Sequence, residues 1–152
     1  MADRRRIIKG IPVSSGIVIG QTHLVLPGDI SVSEVVVPAS EVPREIEALK
    51  KAVDETVEDL RRLRVSAGKD AAGPVTKIFD ALLLIADDQE FFRKVTEEIT
   101  VRRRNAGFVY NLLVQQVTDP LKMSTDPYMR QMAGEIEAVA KRVLSHLSGF
   151  GQ

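Results

Sequence analysis

The stretch Lys77–Phe92, Lys-Ile-Phe-Asp-Ala-Leu-Leu-Leu-Ile-Ala-Asp-Asp-Gln-Glu-Phe-Phe, is the most apolar run in the chain. Its apolar residues recur at spacings of three and four, which predicts a helix with a wide apolar face. Asp87 or Asp88 then suits the N-cap of a second helix, because a short carboxylate accepts the free N–H groups of a first turn. Glu90 falls in that first turn, where the helix dipole favours negative charge. The stretch therefore predicts two helices joined by a tight corner, and further helices must cover the apolar face.

A long amphipathic helix is predicted on the N-terminal side of this stretch. Ser40 is its expected N-cap, Pro43 falls in its first turn, and the pattern continues to about Val65. Its stripe positions alternate spacings of three and four: Ile46, Leu49, Val53, Thr56 or Val57, Leu60 and Leu63. Such a stripe could form a coiled-coil dimer, but it covers only about three heptads, so we favour a helix packed in an intramolecular bundle. Pro74 fits the first turn of the central helix.

Two segments follow the corner. The helix after Asp88 presents four apolar residues on one face: Phe91, Phe92, Val95 and Ile99. The run Arg102–Arg104 suits the C-terminal end of that helix better than a nucleic-acid site, because no aromatic residues are interleaved with it. Asn105 is the expected N-cap of the next helix, Ala106–Val117, and the Asp119-Pro120 pair should end it. The inward face of that helix is predicted to hold Phe108, Val109, Leu112, Leu113 and Val117.

The last segment predicts a helix that starts at Thr125 or Asp126, has Pro127 just inside it, and stops at Gly149. Its apolar stripe is wide: Met129, Met132, Ala133, Ile136, Val139, Ala140, Val143, Leu144 and Leu147. Methionines near a helix start can form an adaptable binding surface, because the thioether side chain is flexible and polarizable. For Met132 alone, filling the core is at least as good an explanation.

Residues 7–37 lack helical spacing. Three short runs rich in β-branched residues predict strands there: Ile7–Val13, Ile17–Leu26 and Val35–Val37. Gly10, Gly16 and Gly20 match neither the dinucleotide-binding nor the P-loop spacing, so they are read as turns. The predicted fold class is mainly α: an antiparallel helical bundle over residues 39–149, preceded by a short N-terminal β segment over residues 1–38.

Composition excludes several functional classes. Lys+Arg and Asp+Glu both number 21, so net charge gives no argument for nucleic acid or an anionic membrane. The chain has no cysteine, and its two histidines, His23 and His146, are far apart, so a zinc site is not expected. No run approaches the ~20 apolar residues of a membrane span, and the N-terminus lacks the apolar core of a signal peptide. The cytoplasm is therefore the expected compartment.

The order of three stretches resembles the N-terminal part of enzyme I of the phosphoenolpyruvate-dependent sugar phosphotransferase system. Lys9–Gly20 is similar to the family's opening Gly-Ile-x-x-Ser-x-Gly-Ile-x-x-Gly. Ile78–Glu90 is similar to its Ile-Phe-x-x-His-x-x-x-Leu-x-Asp segment. Asp126–Ala133, continuing to Lys141–Leu144, is similar to its Asp-x-Tyr-x-x-x-Arg-Ala run and its Arg-x-Leu ending. Each stretch is weak alone, but together they cover almost the whole chain in the right order.

The resemblance implies two subdomains. Residues 1–38 would be the first strands of a swivelling α/β subdomain, incomplete here, and residues 39–149 would be the helical subdomain that docks the histidine-containing phosphocarrier protein HPr. The family's phosphorylated histidine lies in a Gly-Gly-x-x-Ser-His motif that this sequence lacks. The chain is therefore expected to have no catalytic residue of its own, and to need no cofactor. In the family, Mg²⁺ is bound by a domain that is absent here.

The resemblance also implies the residues that contact HPr: Leu82, Ile85, Glu90, Met129 and Met132. The family's histidine in the central helix is Leu82 here, and its arginine in the last helix is Met132. Glu137 stands where the family has a basic residue. These differences imply a docking face that is less polar and less positive, with Glu90 as the remaining acid.

An alternative without phosphotransfer stays open at this point. The chain would then be a stand-alone helical adaptor that associates with itself, because unpaired strand edges invite pairing with another copy. The sequence does not identify the HPr partner, and it does not distinguish sugar uptake from nitrogen-linked regulation.

Overall fold

The computed structural model describes residues 32–66 and 74–148, and in them the chain forms five α-helices. They are α1 (Val42–Ser66), α2 (Pro74–Ala86), α3 (Gln89–Arg102), α4 (Ala106–Lys122) and α5 (Pro127–Leu147). The predicted mainly-α helical bundle is confirmed. The predicted strands between residues 7 and 26 lie outside the described residues. The division at residues 38 and 39 stays a prediction, although the first helical turn does begin at Ala39.

The helices α1 and α5 hold the bundle together because both contribute to its two apolar clusters. The first cluster contains Leu49 of α1 and Leu144 of α5, and the second contains Leu60 of α1 and Val139 of α5. The two helices therefore run in opposite directions. Each fully buried side chain of this size stabilises the fold by about 1.5–3 kcal/mol relative to exposure. The apolar stripe of α1 packs against other helices of the same chain, as predicted for an intramolecular bundle, and not in a coiled-coil dimer.

Short carboxylates fix the starts of α3 and α5, as the sequence predicts. The Asp88 carboxylate accepts a hydrogen bond from the Phe91 N–H at 2.9 Å, and the Asp126 carboxylate accepts one from the Tyr128 N–H at 2.9 Å. Pro127 occupies the first position of α5, where a missing N–H costs nothing. Each such cap contributes about 1 kcal/mol, so these two residues help to set where α3 and α5 begin.

The start of α1 differs from the prediction. Ser40 is not an N-cap, because it lies inside a 3-10 turn over Ala39–Glu41 that begins after Pro38. The α-helix starts only at Val42, with Pro43 in its first turn as expected.

The end of α4 also differs from the prediction. Asp119-Pro120 does not end the helix, which continues to Lys122 with Pro120 inside it. Near a helix end the proline removes one backbone hydrogen bond, and the turn is closed by Met123 N–H donating to the Asp119 carbonyl at 3.2 Å. The predicted inward position of Val117 is wrong, since 44% of it is exposed.

Val117 lies two turns beyond an aromatic contact between α3 and α4. Phe91, close to the start of α3, packs edge-on against Tyr110 of α4, with ring centroids 5.7 Å apart.

Hydrogen bonds join the segment that precedes α1 to the turn between α3 and α4. Instead of the predicted strand, Val35–Val37 forms an isolated antiparallel bridge between Val36 and Arg104. Asn105 occupies the N-cap position of α4, but its side chain accepts from the Val35 N–H at 2.9 Å and donates to the Ser33 carbonyl at 3.2 Å. The predicted N-cap position of Asn105 is therefore confirmed, but its side chain does not cap α4 because it is hydrogen-bonded to residues 33 and 35 instead.

Candidate docking surface

Leu82 and Ile85 lie together on α2 and are half-buried. Both pack against the second apolar cluster, which contains Ala86 of α2 and Val139 of α5. They therefore contribute to the core as well as to the surface of α2. Ile85 also faces a cleft between α1 and the α2–α3 corner.

Met129 and Met132 lie on the first two turns of α5. Met129 is 36% exposed, and Met132 is half-buried. Met132 precedes Val139 by seven residues, which is about two helical turns, so both project from the same face of α5. That face meets α2 at Val139.

The start of α5 and the first half of α2 lie towards the same end of α1. The Arg64 guanidinium, near the end of α1, pairs with the Asp80 carboxylate of α2 at 2.9 Å. Because α1 and α5 are antiparallel, the end of α1 beyond Leu60 leads towards the start of α5. The structure therefore brings α2 and the α5 methionines to one side of the molecule.

Glu90 lies beyond the corner, at the other end of α2 from Asp80. Its carboxylate accepts two hydrogen bonds from the Arg93 guanidinium, at 2.7 and 3.0 Å, and lies 4.0 Å from the Lys94 ammonium. The hydrogen bonds from Arg93 lower the pKa of Glu90. Glu90 is thus an exposed acid whose charge is already shared with two bases of its own helix.

Two exposed apolar residues of α2 were not among the predicted contacts. Leu84 is 78% exposed and Ile78 is 53% exposed. A signal was present in the sequence, because the run from Ala81 to Ala86 is apolar all round rather than on one face, which is unusual for a helix with only one buried side.

Only one of the two shares the face of the predicted contacts. Ile78 precedes Leu82 by four residues and Ile85 by seven, so the three lie on one face of α2. Leu84 follows Leu82 by two residues and therefore lies on the opposite face. We call Ile78, Leu82, Ile85, Met129 and Met132 the α2–α5 surface.

Glu137 does not act as the sequence suggested. Its carboxylate lies 2.7 Å from the Lys122 ammonium of α4, which also contacts Asp119 at 3.0 Å. The hydrogen bonds that Lys122 donates to Glu137 and Asp119 raise the pKa of Lys122. Glu137 is therefore compensated within the groove between α4 and α5, and its charge is directed to α4 rather than towards α2.

His146 is held by two carboxylates. Its Nε2 lies 2.8 Å from Asp59 and its Nδ1 lies 3.1 Å from Glu55. A phosphoryl acceptor needs a free imidazole nitrogen, and two adjacent anions would also repel a phosphoryl donor. His146 therefore joins α5 to α1, and His23 lies outside the described residues.

Within residues 32–66 and 74–148, no group of three or more His, Cys, Asp or Glu side chains could hold a metal ion. None of the helices described there is both long enough and apolar enough to cross a membrane.

The sequence matches a known protein family and named relatives. Residues 9–131 match the family model described as PEP-utilising enzyme, N-terminal. The phosphoenolpyruvate-protein phosphotransferase of Listeria monocytogenes is 32% identical over 142 residues, covering 93% of this chain and 24% of that protein. The same enzyme of Staphylococcus epidermidis is 28% identical over 144 residues, covering 95% of this chain and 25% of that protein. The chain thus spans about a quarter of the length of these relatives.

Two solved structures share the fold. An NMR solution structure of Enzyme I matches with a TM-score of 0.73 and 24% identity, covering 80% of this chain and 49% of that one. An N-terminal domain of Enzyme 1 - Nitrogen matches with a TM-score of 0.68 and 21% identity, covering 78% of this chain and 48% of that one.

Proposed function

The chain belongs to the family of PEP-utilising enzymes, as their N-terminal domain, and we propose that its bundle docks an HPr-type phosphocarrier for a phosphoenolpyruvate-protein phosphotransferase. The phosphoryl group would come from a histidine outside this chain. The two carboxylates at His146 support this division of labour, because they leave no free imidazole nitrogen there. The bundle then supplies recognition and position, and the bond-making step takes place on another part of the protein.

One observation carries the proposal: α2 exposes large apolar side chains although its other face already fills the core. Ile78 remains exposed on the same face as half-buried Leu82 and Ile85, while Phe79 and Leu83 pack against the second cluster. Exposed apolar residues that lie together are a common feature of protein-binding surfaces. Met129, at the start of α5, adds a flexible apolar side chain on the same side of the molecule.

The chemistry of this surface indicates an apolar contact on the partner. Leu82 and Met132 stand where the resemblance to enzyme I implies a histidine and an arginine, so neither can hydrogen-bond or carry charge. Glu90 is the acid at the edge, and a basic residue of the carrier would compete there with Arg93. The five contact residues we propose remain Leu82, Ile85, Glu90, Met129 and Met132, and we add Ile78.

The test is a titration of ¹⁵N-labelled protein with the HPr of the same organism. Saturable shifts are expected for amides from Leu82 to Glu90 and from Tyr128 to Met132. Shifts confined to other helices, or none at millimolar carrier, would contradict the proposal. Labelled phosphoenolpyruvate should leave the chain unlabelled, with or without HPr.

The remaining features of the parent enzyme are part of the same proposal. It would act in the cytoplasm, in sugar uptake or its nitrogen-linked counterpart, and its Mg²⁺ would be held by a domain outside this chain. Reading the gene beyond Gln152 for a Gly-Gly-x-x-Ser-His motif tests this directly. If no such motif follows, the phosphotransferase assignment fails.

The second candidate is a self-associating adaptor. Val35 and Val36 are both more than half exposed on the segment that pairs with the α3–α4 turn, and an extended segment with exposed valines can recruit another copy. Light scattering separates the two candidates. A protein that stays monomeric at low salt and high concentration would exclude the self-associating adaptor.

A further inference from the structure

A cavity of about 150 Å³ lies between α1, the α2–α3 corner and α4. Its walls are mainly apolar and aromatic: Val53, Ile85, Ala86, Phe91, Phe92 and Tyr110. The cavity is far smaller than the roughly 300–1,000 Å³ sites that hold drug-sized ligands or cofactors. An apolar cavity of about 150 Å³ is known to bind benzene, so this volume fits one aromatic ring.

Tyr110 lines the cavity and carries a hydroxyl group. The residue is only 7% exposed. Burial raises the pKa of its hydroxyl, which therefore stays protonated and can donate a hydrogen bond. No hydrogen bond of this hydroxyl is found within the described residues. The Tyr110 oxygen is not completely buried. Within those residues, the hydroxyl oxygen of Thr118 is the one completely buried side-chain nitrogen or oxygen without a hydrogen-bond partner.

The polar rim of the cavity selects against an anion. Lys50 supplies one positive charge, whereas Asp54 and Asp88 supply two negative charges. The Asp88 carboxylate also caps α3 and is not free to move. The rim is therefore weakly acidic, and an uncharged ring with one hydrogen-bonding group suits both the rim and the Tyr110 hydroxyl.

We propose that this cavity is a binding site for an uncharged, single-ring aromatic ligand of the phenol type, hydrogen-bonded to Tyr110. The ring would lie against Phe91, Phe92 and Ile85, in contact with the corner that joins α2 to α3. The site shares Ile85 with the proposed phosphocarrier contacts, but its other walls come mainly from α1, α3 and α4, so it does not depend on that docking. Either proposal can fail without the other.

The test is an NMR titration of the whole chain with phenol, benzene and benzoate as separate probes. Phenol should give saturable amide shifts at Ala86, Gln89, Phe91 and Tyr110, with a dissociation constant of about 1 mM or below, the range open to a ligand of this size. Benzene should bind more weakly, and benzoate more weakly than phenol. Shifts that do not saturate, or benzoate binding as tightly as phenol, would overturn the proposal.

Two variants localise the site. Tyr110→Phe should weaken phenol about two- to tenfold and leave benzene unchanged, because only phenol uses the hydroxyl. Val53→Phe should remove binding of both probes by filling the cavity. Thermal unfolding of each variant checks that it is folded, and phenol binding at wild-type affinity in both folded variants would place the ligand elsewhere.

Discussion

Glu45 lies in the first turn of α1 but stabilises the start of α4. Its carboxylate accepts a hydrogen bond from the Ala106 N–H at 2.7 Å, across 61 residues of sequence. The side chain of Asn105, at the N-cap position itself, is engaged with Ser33 and Val35 instead. An anion is favoured at a helix N-terminus by the free N–H groups and by the dipole, so Glu45 takes over the capping role.

Glu45→Ala should lower the free energy of unfolding by about 1 kcal/mol, the usual cost of a lost cap. Urea denaturation at neutral pH measures it. Glu41→Ala is the control, because Glu41 is an exposed carboxylate in the preceding 3-10 turn, and it should change stability by less than about 0.5 kcal/mol. Equal losses in the two variants would remove the capping role.

Asp59 makes the attachment of α5 to α1 sensitive to acid. Burial raises its pKa, but hydrogen bonds from His146 and Arg62 outweigh this and leave the pKa below the ordinary value of 3.8. A carboxyl whose folded-state pKa is depressed contributes stability above its unfolded pKa, and that contribution is lost as the pH falls through the folded pKa.

Asp59→Asn should therefore flatten the loss of stability below about pH 4, since the amide cannot titrate. The measurement is the free energy of unfolding against pH, from urea curves. Asp54→Asn, an exposed carboxylate on the same helix, should keep the wild-type slope. A D59N slope equal to that of the wild type would show that Asp59 is not a source of the acid sensitivity.

At the scale of the element, α2 serves two surfaces at once. One face completes the second cluster through Phe79 and Leu83, and half-buried Leu82 and Ile85 lie at the edge of that face together with exposed Ile78. Leu84 is exposed on the opposite face. The phosphocarrier proposal assigns a partner to the edge that Ile78, Leu82 and Ile85 form.

Ile78→Asp should weaken HPr binding at least about tenfold, because it places a charge in an apolar contact. Val101→Asp is the control, since Val101 of α3 is exposed as well but lies outside the α2–α5 surface. Calorimetric titration measures both, and unfolding of each should stay within about 0.5 kcal/mol of the wild type. Equal weakening by the two variants would show a general charge effect instead.

At the scale of the whole molecule, the two apolar clusters form one cooperative unit. Leu49 and Leu60, eleven residues apart on α1, are both fully buried, one in each cluster. Because α1 and α5 run through both clusters, neither cluster can lose its packing without loosening the helices that support the other.

Leu49→Ala and Leu60→Ala should each lower the free energy of unfolding by about 2–5 kcal/mol, through lost burial and the cavity left behind. Near-UV signals from Tyr110 and far-UV helix signals should still change together in each variant. Separate transitions in Leu60→Ala would show that the cluster around α2 unfolds on its own.

Helix type and position were largely accessible from the sequence. The caps at Asp88 and Asp126 and the prolines at 74 and 127 are local signals, since a helix start depends on groups within one turn. The end of α4 could not be predicted from the sequence. Pro120 near a helix terminus removes one backbone hydrogen bond, and neighbouring contacts can offset that loss.

By itself, the sequence determined that this chain is a bundle of amphipathic helices and, by the order of its motifs, which family it resembles. Periodicity and caps are local properties of a helix, so they are legible without coordinates. Only the tertiary structure decided that Glu45 caps α4, that Glu137 faces Lys122, and that Leu84 is left exposed. These outcomes depend on which helices meet and at which turn, and contacts between residues far apart in sequence leave no periodic trace within any one segment.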